Sequence, residues 1–153
     1  MPKPRYKPLN PLRSERQVLR ECLGVLQILG VDAGRQNTGG MINERGRYVS
    51  FGEPGNSDIT GMIPRGWGWA SGVKFDLEVK RQGFTPERCY GKARERWETQ
   101  IERLRKTNDN GGVGLWTDDA IWLKYVLFLI RDRGVRVRIG PDEWPVLYEE
   151  SDQ

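Results

Sequence analysis

Between Lys74 and Lys80 the chain alternates strictly, with Phe75, Leu77 and Val79 apolar and Asp76, Glu78 and Lys80 polar. Side chains change faces at every strand residue, so this spacing predicts a β-strand with Glu78 and Lys80 on one face, about 6–7 Å apart. A second strand is expected over Ser57–Ile63, joined to the first by a Trp- and Gly-rich loop. If the two strands are neighbours, Asp58 lies close to Glu78. Alternation alone favours a plainer reading, an edge strand whose polar face is solvated.

Helical periodicity brackets this pair. Ser14, with Gln17 three residues on, predicts a capping box opening a helix over Ser14–Leu29 whose inward stripe is Leu19, Cys22, Leu26 and Leu29. At 100° per residue Glu15 lies within about 40° of that stripe, in the first turn where the helix dipole favours a carboxylate. Thr85 and Pro86 predict the start of a second helix with Tyr90, Ala93, Trp97, Ile101 and Leu104 facing the core and Gln100 at the stripe's edge. Its many Lys and Arg residues read as a solvated face paired with Glu95, Glu98 and Glu102. Val113–Trp116 reads as a buried strand. Thr117 is expected to cap a closing helix, Asp118–Arg133, whose middle is apolar on all sides and so buried all round, partly against a second copy of the chain.

Shorter segments complete the outline. Val31–Gly40 is expected to begin as a strand and end in a turn at Asn37-Thr38-Gly39-Gly40, and Arg47–Phe51 to form a strand leading into Gly52-Glu53-Pro54-Gly55. Arg136–Ile139 is expected to add an edge strand. The organisation is therefore a Pro- and Lys/Arg-rich arm at 1–13, one domain at 14–140 and an acidic C-terminal tail at 141–153. A length of 153 residues with 37% hydrophobic positions suits one domain with a modest core.

Charge and composition narrow the chemistry. The net charge is +4, and residues 1–50 hold nine Lys/Arg against four Asp/Glu, a bias that suits a polyanionic partner. With no histidine, a His-based triad, a His metal site and a His general base are excluded. Cys22 and Cys89, both in helical patterns, read as buried thiols of a reducing compartment. Without a long apolar run or a signal-peptide pattern, a cytoplasmic protein with no membrane partner is expected. No Gly-x-x-x-x-Gly-Lys loop occurs, so no nucleotide cofactor is expected.

Two carboxylates held as close as Asp58 and Glu78 repel unless one keeps its proton or a hard divalent cation joins them. With such a cation present, the Lys80 ammonium could orient a water or stabilise charge on a phosphate. Arg35 and Asn37 are candidate phosphate contacts, although a turn held by Asn37 explains that segment equally. Trp67 and Trp69, set among glycines, could stack on unpaired bases, fold back over the sheet or meet a partner subunit.

An Asp, a gap of nineteen residues and then Glu-x-Lys at the end of an apolar strand resembles the PD-(D/E)xK nuclease superfamily. Arg35-Gln36-Asn37-Thr38-Gly39-Gly40, Gly52-Glu53-Pro54-Gly55-Asn56-Ser57-Asp58, Leu77-Glu78-Val79-Lys80 and Gly111-Gly112-Val113 together resemble its VRR-NUC family, from about Ser14 to Asp119. The resemblance implies an α/β fold with a restriction-endonuclease-like core, a mixed central sheet flanked by helices. It implies a Mg²⁺- or Mn²⁺-dependent DNA endonuclease, acting on branched DNA such as four-way (Holliday) junctions and often dimeric, as in stand-alone phage or bacterial members. A catalytically silent DNA-binding module of the same fold is the alternative. The implied metal ligands are Asp58, Glu78, the Val79 carbonyl and, directly or through water, Glu15. Lys80 would position the nucleophilic water, and Gln100 would orient Lys80 or the scissile phosphate.

Overall fold

The computed structural model describes residues 12–36, 39–42, 44–51 and 57–150. Its element order is α1 (Glu15–Ile28), β1 (Asp32–Arg35), β2 (Gly39–Ile42), β3 (Tyr48–Phe51), β4 (Ile59–Met62), β5 (Lys74–Val79), α2 (Lys92–Asp109), β6 (Val113–Thr117), α3 (Ala120–Arg133), β7 (Arg136–Arg138) and β8 (Val146–Tyr148). Four strands form a mixed sheet in the order β1-β4-β5-β6, with β1/β4 and β4/β5 antiparallel and β5/β6 parallel. The parallel step needs a crossover connection, and α2 supplies it. The protein is thus mixed α/β. None of its described helices is long and apolar enough to cross a membrane.

The strand alternation sorts the two faces. Ile59, Leu77 and Leu115 lie in register across β4, β5 and β6 and are fully buried. Burying each such side chain contributes about 1.5–3 kcal/mol. α1 packs on β1 and β5 and against α3, while α2 covers β5 and β6. On the α2 side Asp76 is 6% and Glu78 2% exposed. β5 is therefore an interior strand with a covered polar face, and the solvated-edge reading is overturned.

Gly114 shows how tightly α2 presses on that face. A β-carbon there would meet the Leu104 carbonyl oxygen at 2.5 Å, and backbone cannot step aside as a side-chain tip can. Gly114→Ala is expected to destabilise the fold by about 1–3 kcal/mol, read as a lower urea midpoint with an unchanged slope.

The capping box of α1 forms as expected: Gln17 N–H donates to Ser14 Oγ at 3.2 Å, and Ser14 N–H to Gln17 Oε1 at 2.9 Å. The stripe it buries is Val18, Cys22 and Leu26, with Leu19 and Leu29 at its border. Burial holds the Cys22 thiol up at about 12, an inert core thiol.

Several expected boundaries move. Thr85 does not cap α2. Pro86–Arg88 makes one 3₁₀ turn, Thr85 Oγ1 donates to the Gly83 carbonyl, and Gly91, at φ +65°, restarts the chain into a helix at Lys92. Cys89 consequently sits outside any helix, and Tyr90 and Ala93 leave the core stripe for solvent. Trp97, Ile101 and Leu104 remain buried.

Helix α3 is capped by Asp119, whose Oδ1 accepts from Ile121 N–H at 2.9 Å, with Thr117 holding Asp119 from the preceding turn. It is not buried all round: Ile121 is 79% and Tyr125 43% exposed. Gly39 and Gly40 belong to β2, which pairs with β3, rather than to a turn.

β7 pairs with β8 in a separate ribbon and does not extend the main sheet. That places residues 146–148, expected in an acidic tail, inside the fold. Trp144 anchors them, its ring 4.2 Å from Trp116 and 5.3 Å from Trp122. Most of the expected arm at 1–13, Asn37-Thr38, the Gly52–Gly55 turn and the last three residues lie outside the described residues.

Candidate functional site

The register that pairs Ile59 with Leu77 brings Asp58 opposite Glu78 at the end of the sheet. Asp58 Oδ2 accepts the Val79 main-chain N–H at 2.8 Å, which fixes the carboxylate against β5. The N–H and C=O of one strand residue point to the same side, so the Val79 carbonyl also faces the Asp58 edge.

Glu78 has one satisfied oxygen and one bare. Its Oε1 accepts Gln100 Nε2 at 2.8 Å, and Lys80 Nζ lies 3.6 Å away. Its Oε2 is buried with no hydrogen-bond partner. Lys80 Nζ in turn donates to Gln100 Oε1 at 3.0 Å. Gln100 therefore bridges acid and amine from α2, using both ends of its amide. The ammonium also sits 5.3 Å from the Phe84 ring and 5.2 Å from the Trp97 ring. Aromatic faces attract a cation and shed water, so they hold it in place.

Electrostatics separate this cluster from a structural ion pair. Burial pushes the Glu78 carboxyl well above its ordinary value of 4.5, the Asp58 charge adds to the rise, and Lys80 only partly opposes it. The two carboxyls are close enough to share a hydrogen when one is protonated. Glu15, at the first turn of α1, is exposed overall, yet its carboxyl is also raised, by partial burial and then by Asp58, with Lys80 again opposing. One lysine therefore faces three acids.

A bare buried oxygen between two crowded carboxylates is the donor set that a hard cation such as Mg²⁺ or Mn²⁺ takes. Among the described residues no three His, Cys, Asp or Glu side chains close around one point. Such an ion would therefore rest on Asp58 and Glu78, with the Val79 carbonyl beside them and Glu15 one water further out.

Of the expected site residues, Glu15, Asp58, Glu78, Val79, Lys80 and Gln100 come together. Arg35 ends β1 next to them, exposed, with Gln36 N–H donating to the Asp58 carbonyl at 2.8 Å. Asn37 is outside the described residues.

The tryptophans fold back instead of facing outward. Trp67 is 4% exposed, and Trp69 Nε1 donates to the carbonyls of Gly134 and Val135 at 3.1 and 3.2 Å. The Arg136 guanidinium covers the Trp69 ring at 4.3 Å. Both rings tie the β4–β5 loop to the end of α3, so neither is free for base stacking.

Other participants emerge only in three dimensions. Phe84 and Trp97 wall in Lys80. Asp76, on the same face as Glu78, accepts from Thr107 Oγ1 at 2.6 Å and Ser57 Oγ at 3.1 Å and pairs with Lys74 at 3.3 Å. It lines a cavity of about 550 Å³ with Lys74, Lys106 and Thr107, beside α2 but not at the acid pair. A second cavity, about 430 Å³, opens directly on Lys80 and Glu15, with Arg81, Arg88 and Tyr90 on its wall. The period-2 pattern of β5 already put Asp76 on this face, whereas nothing in the chain announced what would cover it.

The fold is a four-stranded mixed sheet between helices, with an acid–amide–lysine cluster at one end. No known protein family, characterised protein or solved structure matches the chain.

Proposed function

We propose that the protein is a metal-dependent DNA endonuclease that hydrolyses phosphodiester bonds, of the PD-(D/E)xK type and similar to VRR-NUC nucleases, with a restriction-endonuclease-like core. The observation that carries this reading is the bare, buried Oε2 of Glu78, on a carboxyl crowded by Asp58 and next to a lysine held by Gln100. The helix–strands–helix–strand–helix order around the sheet supports it.

A Mg²⁺ or Mn²⁺ ion held by Asp58 and Glu78 would supply charge neutralisation for the phosphate and a more acidic water. The chain does the rest. Lys80 presents its ammonium to the attacking water or to the phosphate oxygen on which charge builds. Gln100 fixes Lys80 in place, and Phe84 and Trp97 exclude water behind it. Glu15 holds the outer water, and Arg35 guides the phosphate backbone in.

Branched DNA is the substrate class, and a homodimer the assembly, that this reading carries. The exposed Ile121 and Tyr125 on α3 offer a face for a two-fold pair, which would present two sites to the two strands of a junction. Light scattering at micromolar concentration should then give twice the chain mass, and monomer alone would remove paired incision.

The decisive assay compares unmodified protein with Glu78→Ala on labelled flap, splayed, four-way and linear DNA with Mn²⁺. Cleavage by the first and not the second is expected. Equal cleavage by both rejects the site. Binding without cleavage by either favours the silent DNA-binding module, a reading that the lack of a three-acid cluster among the described residues keeps open.

A further inference from the structure

The segment from Arg81 to Gly91 is pinned over residues 82–86. Gln82 is 7% exposed, exchanging hydrogen bonds with Arg13 through main chain and amide at 3.0 and 2.9 Å. Gly83 N–H donates to the buried carboxylate of Asp118 at 2.8 Å. Phe84 packs edge-on against Trp97 and Trp116 at 5.0 and 5.8 Å, and Pro86 is buried. A loop with four anchors in five residues is fixed, and the side chains that directly flank the anchors are presented in a fixed place.

Flanking these anchors are Arg81, just before the first, and Arg88 and Tyr90, just after the last. All three are exposed, and Tyr90 is among the most exposed large side chains at 79%. They share one cavity wall with Lys80 and Glu15. Among the described residues neither guanidinium has a carboxylate partner, and the Tyr90 ring packs on no other ring. Unpaired arginines are ordinary on surfaces, but these neighbour a paired one. Arg94, in the first turn of α2, is held by Glu98 at 2.8 Å and Asp142 at 2.7 Å. Acids are at hand on this helix, yet among the described residues that line the cavity Glu15 is the only one.

Two guanidiniums suited to bidentate phosphate contact, beside an exposed aromatic ring, match one ligand chemistry. We propose that Arg81, Arg88 and Tyr90 form a grip for unpaired DNA next to the acid pair, the arginines holding a backbone phosphate and Tyr90 stacking on a base. This rests on the nuclease reading for its place beside the scissile bond. The grip confers a preference for a single-stranded segment adjoining the cut. A base in an intact duplex has its faces occupied by its neighbours and cannot take the Tyr90 ring.

Binding can be read apart from cleavage. Fluorescence anisotropy in EDTA would compare a labelled unpaired oligonucleotide with a blunt duplex of the same sequence, for unmodified protein, Tyr90→Ala, Tyr90→Phe and Arg81→Ala/Arg88→Ala. Tyr90→Ala is expected to weaken unpaired-strand binding about 5- to 150-fold, Tyr90→Phe to restore it, and neither to change duplex binding. The double arginine variant should lower the slope of log affinity against log salt by about 1.4 for the single strand. Unchanged binding by Tyr90→Ala, equal losses on both DNAs, or no affinity of the unmodified protein for the unpaired strand would each overturn the grip. Metal-dependent cleavage that survives Tyr90→Ala undiminished on flap DNA also removes the grip while leaving the nuclease standing. Tyr90-dependent binding in a protein that cuts nothing supports the grip and removes the nuclease.

Discussion

Asp58→Asn is expected to yield a protein that is more stable without metal and nearly inert as a nuclease. The new side chain keeps an oxygen for the Val79 N–H, which Asp58 now satisfies at 2.8 Å. Its amide nitrogen can turn to the bare Glu78 Oε2, giving that buried oxygen its first donor. One repulsion is lost and one hydrogen bond gained, a net gain on the order of 1 kcal/mol. For a chain of this size that raises the melting temperature by about 2–4 °C.

Cleavage, by contrast, would lose one of the two carboxylates that the proposed ion would rest on directly. The expected fall is about 10²–10³-fold, comparable to removal of one charge-stabilising group in other hydrolytic sites. Thermal unfolding in EDTA and initial rates with Mn²⁺ on the same preparations would test both halves. A lower melting temperature would mean that Lys80 and Gln100 already balance the pair. An unchanged rate would mean that the acids are not the catalytic centre. Opposed effects are the expected signature of a site where function keeps a destabilising charge.

Local rules made parts of this legible in the chain. Ser14 and Gln17 satisfy each other within one turn, so their box could be read without knowing the fold. The alternation of β5 gave the face of Glu78 and Lys80, and the 100° step gave Gln100 its place at the stripe's edge. The pairing of β4 with β5 stood only as a condition in the chain, and the structure meets it.

What stayed hidden depends on partners remote in sequence. Alternation says which residues share a face but not whether water or α2 covers it, and Asp76 finds Thr107 thirty-one residues on. Tyr90 continues the helical stripe on paper. Gly91, at φ +65°, breaks the turn and swings the ring outward. Trp67 and Trp69 looked available because glycines surround them, yet Trp69 is anchored at Gly134–Arg136 and Trp67 is buried with the Arg131 guanidinium 6.0 Å from its ring. Trp144, among acidic residues, reads as tail until it meets Trp116 and Trp122.

The same crowded carboxyls should make Mn²⁺ and protons compete visibly. Burial raises Glu78 above 4.5 in the folded chain, and burial and Asp58 raise Glu15 similarly. Between that value and the folded one, the folded chain holds a proton that the unfolded chain has released. Stability without metal should therefore fall as pH rises through this window, and be unaffected by these groups below it. Metal binds the ionised form, so its stabilisation should grow over the same range. At a Mn²⁺ concentration about 100-fold above its dissociation constant the gain is about 2.7 kcal/mol. At about 2–4 °C per kcal/mol for this size of chain, that corresponds to roughly 5–11 °C of melting temperature. Melting curves from pH 5 to 8, with EDTA or Mn²⁺, should thus diverge, the EDTA series sloping down and the gap widening. In Glu78→Gln both trends should flatten, because no proton remains at that position to release and one of the two proposed direct ligands is gone. A Mn²⁺ shift equal in Glu78→Gln and unmodified protein would place the ion elsewhere, and a gap that narrowed with rising pH would exclude the carboxylate pair as its seat.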